Sequence, residues 1–264
     1  MRIAATVLFL CLGSVAYPQE SSWPGGIAFI DLGAADGARP VVEYAGHRVL
    51  VLSNGGRWHA VIGVPLDAAI GTAEISAADG AKHAFEIREH AYREQRLQVA
   101  KNYVSLSEEN LERVGNERKV IDAALTNWRD VSLDGVHLST PVAGRKSSSF
   151  GLRRFFNDEP RSPHKGMDIS ASEGEPVAAP RGGVITTTGD FYFNGNTVFV
   201  DHGQGFVTMY CHLSEITVAE GQVVGEGEII GLVGATGRAT GPHLHFGTYM
   251  NGTAVDPALL LAEP

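Results

Sequence analysis

The chain has 264 residues, 44% of them hydrophobic, and a formal net charge of -9 at pH 7. That length allows one large or two modest domains, and the hydrophobic share supports a packed core rather than disorder. The acidic balance, with no long basic run, argues against nucleic acid or an anionic membrane surface as the main partner.

In chain order, residues 1–16 read as a secretory signal. Arg2 supplies the positive start, Ile3 to Leu12 the apolar stretch, and Ser14-Val15-Ala16 the small-x-small cleavage site before Tyr17. An apolar run of about ten residues is too short for a bilayer, which takes roughly 20, so no membrane insertion is expected. The mature protein reads as soluble, in the periplasm or secreted. Cys11 follows Leu10, where a lipidation site needs a small residue, and it leaves with the signal. Cys211 then remains as the one cysteine, which excludes an intramolecular disulfide. It lies in an apolar strand pattern and reads as a small buried filler.

Residues 17–100 read as an N-terminal β domain. Val41 to Tyr44, His47 to Leu52, Arg57 to Val64 and Ala84 to Arg88 are short apolar or alternating runs. Asn54-Gly55-Gly56 is a hairpin signal because these residues tolerate positive φ, and the strand spacing suggests a small β-sandwich. Its histidines, His47, His59, His83 and His90, are scattered and read as structural or solvent-exposed. Residues 101–148 form a helical linker in this reading. Ser105 with Glu108 fits a capping box, and Leu111, Val114, Ile121, Leu125 and Trp128 recur at helical spacing over 105–128. One amphipathic helix is expected to dock on a neighbouring domain, followed by a polar lead-in from Ala143 to Ser149. Residues 149–264 are β-rich, with strands over 176–179, 183–187, 197–201, 206–212 and 228–233 and Gly-rich turns between them.

The chemistry sits in this last segment. His243-Leu244-His245 places two imidazoles on one face of a strand, because residues i and i+2 share a face. Taken alone the pair is also compatible with a solvated strand face. His164 and Asp168 flank Gly166 in a loop running into a strand; a carboxylate with imidazoles suits Zn²⁺, and two histidines with one aspartate leave a fourth position for water. His212 closes the strand from Phe206 to Cys211. His202, in a hairpin turn, is left outside the site.

Together these fragments resemble the M23 peptidases, the lysostaphin-like zinc endopeptidases that cut peptidoglycan cross-links. Phe150-Gly151-Leu152-Arg153 is similar to the family's opening Phe-Gly-x-Arg, and His164-x-x-x-Asp168 to its first metal motif. Gly174-Glu175-Pro176-Val177 with Ala179, Gly195-Asn196, Asp201-His202-Gly203, His212-Leu213-Ser214, Thr236-Gly237, Gly241 to Phe246 and Asp256-Pro257 follow in the family's order. The resemblance covers nearly all of 149–264, and an extra β domain ahead of it is common in Gram-negative members. It implies a mainly β fold: an antiparallel lysostaphin-like sheet with a duplicated hybrid motif, preceded by the small β-sandwich and the linking helix. It implies His164, Asp168 and His245 as ligands of one Zn²⁺ per chain, and His212 and His243 as catalytic histidines. Phe191-Tyr192-Phe193 is bulkier than the family's usual turn and is expected to reshape one groove wall.

The expected activity is hydrolysis of peptide cross-links by a zinc-activated water, first among them the bond from D-alanine to diaminopimelate, with glycyl bonds as the runner-up. The partners are peptidoglycan stem peptides; Arg153, Arg154 and Lys165, near the first motif, are candidates to attract their carboxylates and equally compatible with a solvated surface. Two other classes compete: a non-cutting cell-wall binding or hydrolase-activating protein, which missing ligands would favour, and a carrier or phosphotransfer protein, which needs neither export nor this motif pair. Intramolecular inhibition by the N-terminal region, with the β domain and helix covering the groove, is a further expectation from their size and position.

Overall fold

A computed structural model describes residues 21–98 and 106–262. The signal sequence and Ser105 lie outside the described residues. In the N-terminal half, β1 (Ile27–Ala34), β2 (Val42–Tyr44), β3 (His47–Arg48), β4 (Leu50–Asn54), β5 (Arg57–Gly63), β6 (Gly71–Ala77) and β7 (Lys82–Ile87) make two antiparallel sheets, ordered β1-β5-β4 and β3-β2-β6-β7. The turn at Gly55 and Gly56, both at positive φ, joins β4 to β5 with Asn54 opposite Arg57. The two sheets share a core that includes Val42, Val51, Ala60, Ile62, Ile75 and Phe85, which is the sandwich expected. Two of its strands carried little signal: β6 buries only Ile75, and β1 fades toward the surface at its end.

The chain continues through β8 (Glu94–Leu97) and α1 (Glu108–Leu125) into the C-terminal half. That half contains β9 (Arg145–Ser148), β10 (Arg153–Phe156), β11 (Glu159–Pro160), β12 (Met167–Ser170), β13 (Pro176–Ala178), β14 (Gly183–Phe191), β15 (Gly195–Gly203) and β16 (Phe206–Leu213). It ends with β17 (Glu215–Ile216), β18 (Val223–Val224), β19 (Ile229–Leu232), β20 (Leu244–Met250) and β21 (Thr253–Val255). The main antiparallel sheet runs β18-β14-β15-β16-β20-β12-β9, with β21 on β20, and β13-β19-β17 forms a smaller sheet. The polar stretch read as a lead-in is therefore in part a strand, β9, paired with β12. Its Arg-Lys-Ser-Ser sequence shows no apolar alternation because it is an exposed edge.

The centre of the main sheet is covered on both faces, so β15 and β16 are buried almost throughout and read as continuous apolar runs. Val198, Val200, Phe206 and Tyr210 face one core with Ile27, Leu50, Leu52 and Val61 of the sandwich. Phe199, Val207, Met209 and Cys211 face the other, with Phe150 and with Ala124 and Leu125 of α1. Backbone-to-side-chain hydrogen bonds join the halves: Gly63 N donates to Asn251 Oδ1 at 2.7 Å, Asn251 Nδ2 donates to Gly63 O at 3.1 Å, and Val51 N donates to Gln204 Oε1 at 3.1 Å.

The helix is shorter than the spacing predicts. Its N-cap is Ser107, which accepts from Asn110 N at 3.3 Å, in place of the Ser105–Glu108 box. Leu111 is 57% exposed, and Val114, Glu117, Ile121, Ala124 and Leu125 make the inward stripe. Glu117 takes an inward place because its carboxylate accepts from Tyr192 N at 2.9 Å, which ties the helix to the turn after β14.

Candidate metal centre

Backbone pairing assembles the site. Gly151 N donates to His164 O at 2.8 Å and His164 N donates to Leu152 O at 3.1 Å, which brackets the loop before β12. Asp168 on β12 lies directly opposite His245 on β20, so the two side chains are cross-strand neighbours on one face. His243 precedes β20 and is held by its bridge to Gly234. His212, next to last in β16, has φ +65°, a left-handed conformation uncommon outside glycine and concentrated at functional positions. Its N–H donates to Asn194 O at 2.8 Å. The neighbouring Gly195 admits no side chain, since a Cβ would overlap Thr236, and that close approach seats the turn that meets His212.

Three acceptor atoms converge. His164 Nε2 is 3.1 Å from Asp168 Oδ1 and 3.0 Å from His245 Nδ1, and His245 Nδ1 is 2.9 Å from Asp168 Oδ1. His164 Nδ1 lies 2.9 Å from Ser149 O; a carbonyl only accepts, so the ring donates there and presents a lone pair at Nε2. His245 Nδ1 carries at most one hydrogen, too few for the three contacts. A cation is the natural filler, and the set of two imidazoles and one carboxylate fits a divalent metal with a position left open. Burial raises the Asp168 carboxyl, but the facing His164 and His245 outweigh it and hold it well below the usual carboxylate range. Burial lowers the His245 imidazole, keeping it neutral as a ligand must be.

His212 and His243 complete the group. Their ring centroids lie 4.7 Å apart with the planes tilted by 47°, and His243 Nε2 stands 4.0 Å from Asp168 Oδ1. His212 Nδ1 donates to Thr236 O and His243 Nδ1 to Gly241 O, each at 2.9 Å. Both therefore offer the Nε2 lone pair, and burial pushes the His212 imidazole down to about 4, so it is neutral near pH 7.

All five predicted site residues line one cleft of about 720 Å³. Sequence reasoning missed other residues there: Gln95 and Leu97 of β8, Arg161 and Arg238. Phe193, from the bulky turn, is on its wall, whereas Phe191 is buried beneath. Lys165 lines a neighbouring pocket of about 390 Å³ between α1 and the sheet, which shares Phe193, Asn194 and His245 with the cleft. His202 is buried in a hydrogen-bond chain, with Nδ1 donating to Gly182 O at 2.9 Å and Nε2 accepting from Thr208 Oγ1 at 2.9 Å.

Comparison with known proteins places this geometry. The model of peptidase family M23 matches residues 162–257, which contain all five site residues, and that of the M23 N-terminal domain matches 20–90. A crystallised Pseudomonas aeruginosa protein assigned to peptidase M23 is 38% identical, covers 90% of this chain and 94% of its own, and superposes with a TM-score of 0.76. The DD-carboxypeptidase/endopeptidase Mpg of Neisseria meningitidis serogroup B is 45% identical over 47% of this chain, a match spanning 28% of that relative. The peptidoglycan DD-endopeptidase ShyA of Vibrio cholerae is 42% identical over 42% of this chain and 26% of its own length. These curated relatives are thus matched over little more than a quarter of their length, whereas the Pseudomonas protein is matched nearly end to end. On that likeness, and with the family model lying over the residues that build the site, the chain belongs to peptidase family M23.

Proposed function

We propose that this protein is a zinc metallopeptidase that hydrolyses peptide cross-links of peptidoglycan, acting as a DD-endopeptidase on the D-alanyl-diaminopimelate bond in the periplasm or outside the cell. The observation that carries the reading is the convergence of His164 Nε2, Asp168 Oδ1 and His245 Nδ1 in an open cleft where two further histidines present acceptor nitrogens. The names of the relatives supply the substrate class, and export supplies the compartment. No described helix is long and apolar enough to cross a membrane.

The chemistry a zinc ion supplies when bound there is a water acidified to a pKa of about 7 and a polarised carbonyl. The chain's own residues do the rest. The carbonyls of Thr236 and Gly241 hold His212 and His243 in the tautomer whose Nε2 accepts a proton. Once protonated, the same nitrogen donates, to the developing oxyanion or to the leaving amine. Asp168 stays ionised and contributes the negative charge that favours a cation.

Metal content and turnover of two variants test the division of labour. His245→Ala should lose both stoichiometric zinc and hydrolysis of cross-linked muropeptide dimers. His243→Ala should keep the zinc and lose the hydrolysis. Loss of zinc from His243→Ala contradicts the roles assigned.

A further inference from the structure

We infer that Arg154, Arg161 and Arg238 form a carboxylate-recognition wall of the cleft, completed by the linker strand β8, that selects peptides bearing a free carboxylate. The inference rests on the peptidase reading for its substrate class. The chain is acidic overall, at -9, yet the cleft lining holds three arginines and no carboxylate except Asp168. A local positive field in a concave site concentrates anionic ligands regardless of net charge.

The arginines are poorly neutralised. Arg161 pairs with Glu159 at 2.8 Å, but among the described residues no carboxylate pairs with Arg154 or Arg238. Arg154 Nη2 reaches only Ser148 Oγ, at 3.4 Å, and the Nε atoms of Arg154 and Arg161 are buried without a hydrogen-bond partner. The Arg238 guanidinium comes from a different loop and lies over the Phe193 ring, 4.6 Å from its centroid. Guanidinium forks held in place with donors to spare match a carboxylate in shape and charge.

The linker strand fixes this wall. Residues 94–97 fall between the two family matches, which end at 90 and begin at 162. β8 pairs in parallel with β10, placing Gln95 opposite Arg154 and Leu97 opposite Phe156. All four line the cleft, as alternate residues of paired strands must if one face is turned inward. Arg153 and Arg96 belong to the opposite face, where Arg96 sits 4.1 Å over the Phe155 ring, so Arg153 is not part of the wall. Tyr92 anchors the strand: its hydroxyl donates to Pro24 O at 2.7 Å, and its ring meets Phe150 at 6.1 Å.

Equilibrium binding tests this without turnover. The probes are the soluble tripeptide L-Ala-γ-D-Glu-meso-diaminopimelate and the same peptide with its glutamyl carboxylate and both diaminopimelate carboxylates amidated, titrated into the zinc-loaded mature protein. The wild type should bind the free carboxylate roughly tenfold or more tightly than the amide, as charge-assisted pairs require. Arg154→Gln/Arg161→Gln/Arg238→Gln should lose that preference while retaining zinc, and Gln95→Ala/Leu97→Ala should weaken both peptides alike. Equal binding of the two peptides by the wild type, no binding of the free-carboxylate form at millimolar concentration, or full preference in the triple-arginine variant overturns the inference. The wild-type comparison needs no variant to fold. A preference without any hydrolysis of muropeptide dimers retains the wall and rejects the peptidase; hydrolysis without preference does the reverse.

Discussion

Gly166 offers a steric test of the metal centre. It lies between His164 and Asp168 and is not among the positive-φ glycines, so alanine is compatible with its backbone. A Cβ there would sit 2.7 Å from both Cε1 and Nε2 of His245 and 2.7 Å from Phe246 O. Carbon contacts settle at about 3.5–4.0 Å, so the overlap approaches an ångström. The ring has little room to yield, because its Nδ1 is 2.9 Å from Asp168 Oδ1 and its backbone is paired opposite Asp168. Phe246 is fully buried and holds the strand in place. Overpacking of this kind costs about 1–3 kcal/mol. Relieved by rotating the ligand, it should lower zinc affinity by about 10–100-fold, the scale seen when support of a ligand is disturbed. Chelator competition gives the zinc affinity of Gly166→Ala, and thermal unfolding of the metal-free protein separates strain in the fold from strain at the metal. Gly225→Ala, at a position with nothing within 4 Å of its Cβ, is the control. Unchanged zinc affinity together with unchanged unfolding in Gly166→Ala would refute the packing argument.

Further expectations concern the scaffold. Tyr92→Ala removes the ring that meets Phe150 and the hydrogen bond to Pro24 O, and should cost about 2–4 kcal/mol in urea unfolding. It should also speed hydrogen exchange at Arg153 N, which donates to Arg93 O at 2.9 Å; unchanged exchange would detach β8 from Tyr92. Burial lowers the His202 imidazole to about 4, against an ordinary value of 6.5. The unfolded chain then binds the proton more readily, so the stability from keeping His202 neutral is complete above pH 6.5. It is lost as pH falls from 6.5 toward 4, by on the order of 3 kcal/mol. His202→Gln should flatten that slope in unfolding measured against pH, and an unaltered slope would contradict the assignment. Burial pushes the Cys211 thiol up to about 12, so iodoacetamide at pH 8 should leave it unmodified in the native protein and alkylate it after unfolding.

The chemistry of the site was legible because it is written in short-range fragments. His-x-His and His-x-x-x-Asp each carry their spacing within a few residues, and the five side chains do meet in one cleft. What brings Asp168 opposite His245 is a pairing across 77 residues, which no local pattern encodes. The mainly β fold was readable wherever a strand alternates or is buried on both faces, as in β15 and β16. It was unreadable at exposed edges: β8 and β9 are built, apart from Leu97, from charged and polar residues whose reason to be extended is the neighbour they pair with. The helix's inward stripe departs from the expected one for a related cause, since Leu111 faces outward and Glu117 turns inward to reach Tyr192 N. Arg161 and Arg238 gave no signal of their own, because a lone arginine reads as surface. The nearest hint was Arg161 lying three residues before His164.

Whether the cleft cuts cross-links is read directly by mass spectrometry of products after the zinc-loaded mature protein is incubated with purified cross-linked muropeptide dimers. Dimers should resolve into monomers, with a new D-alanyl carboxyl terminus and a free diaminopimelate amine. Intact dimers in the presence of stoichiometric bound zinc would contradict the proposed cleavage.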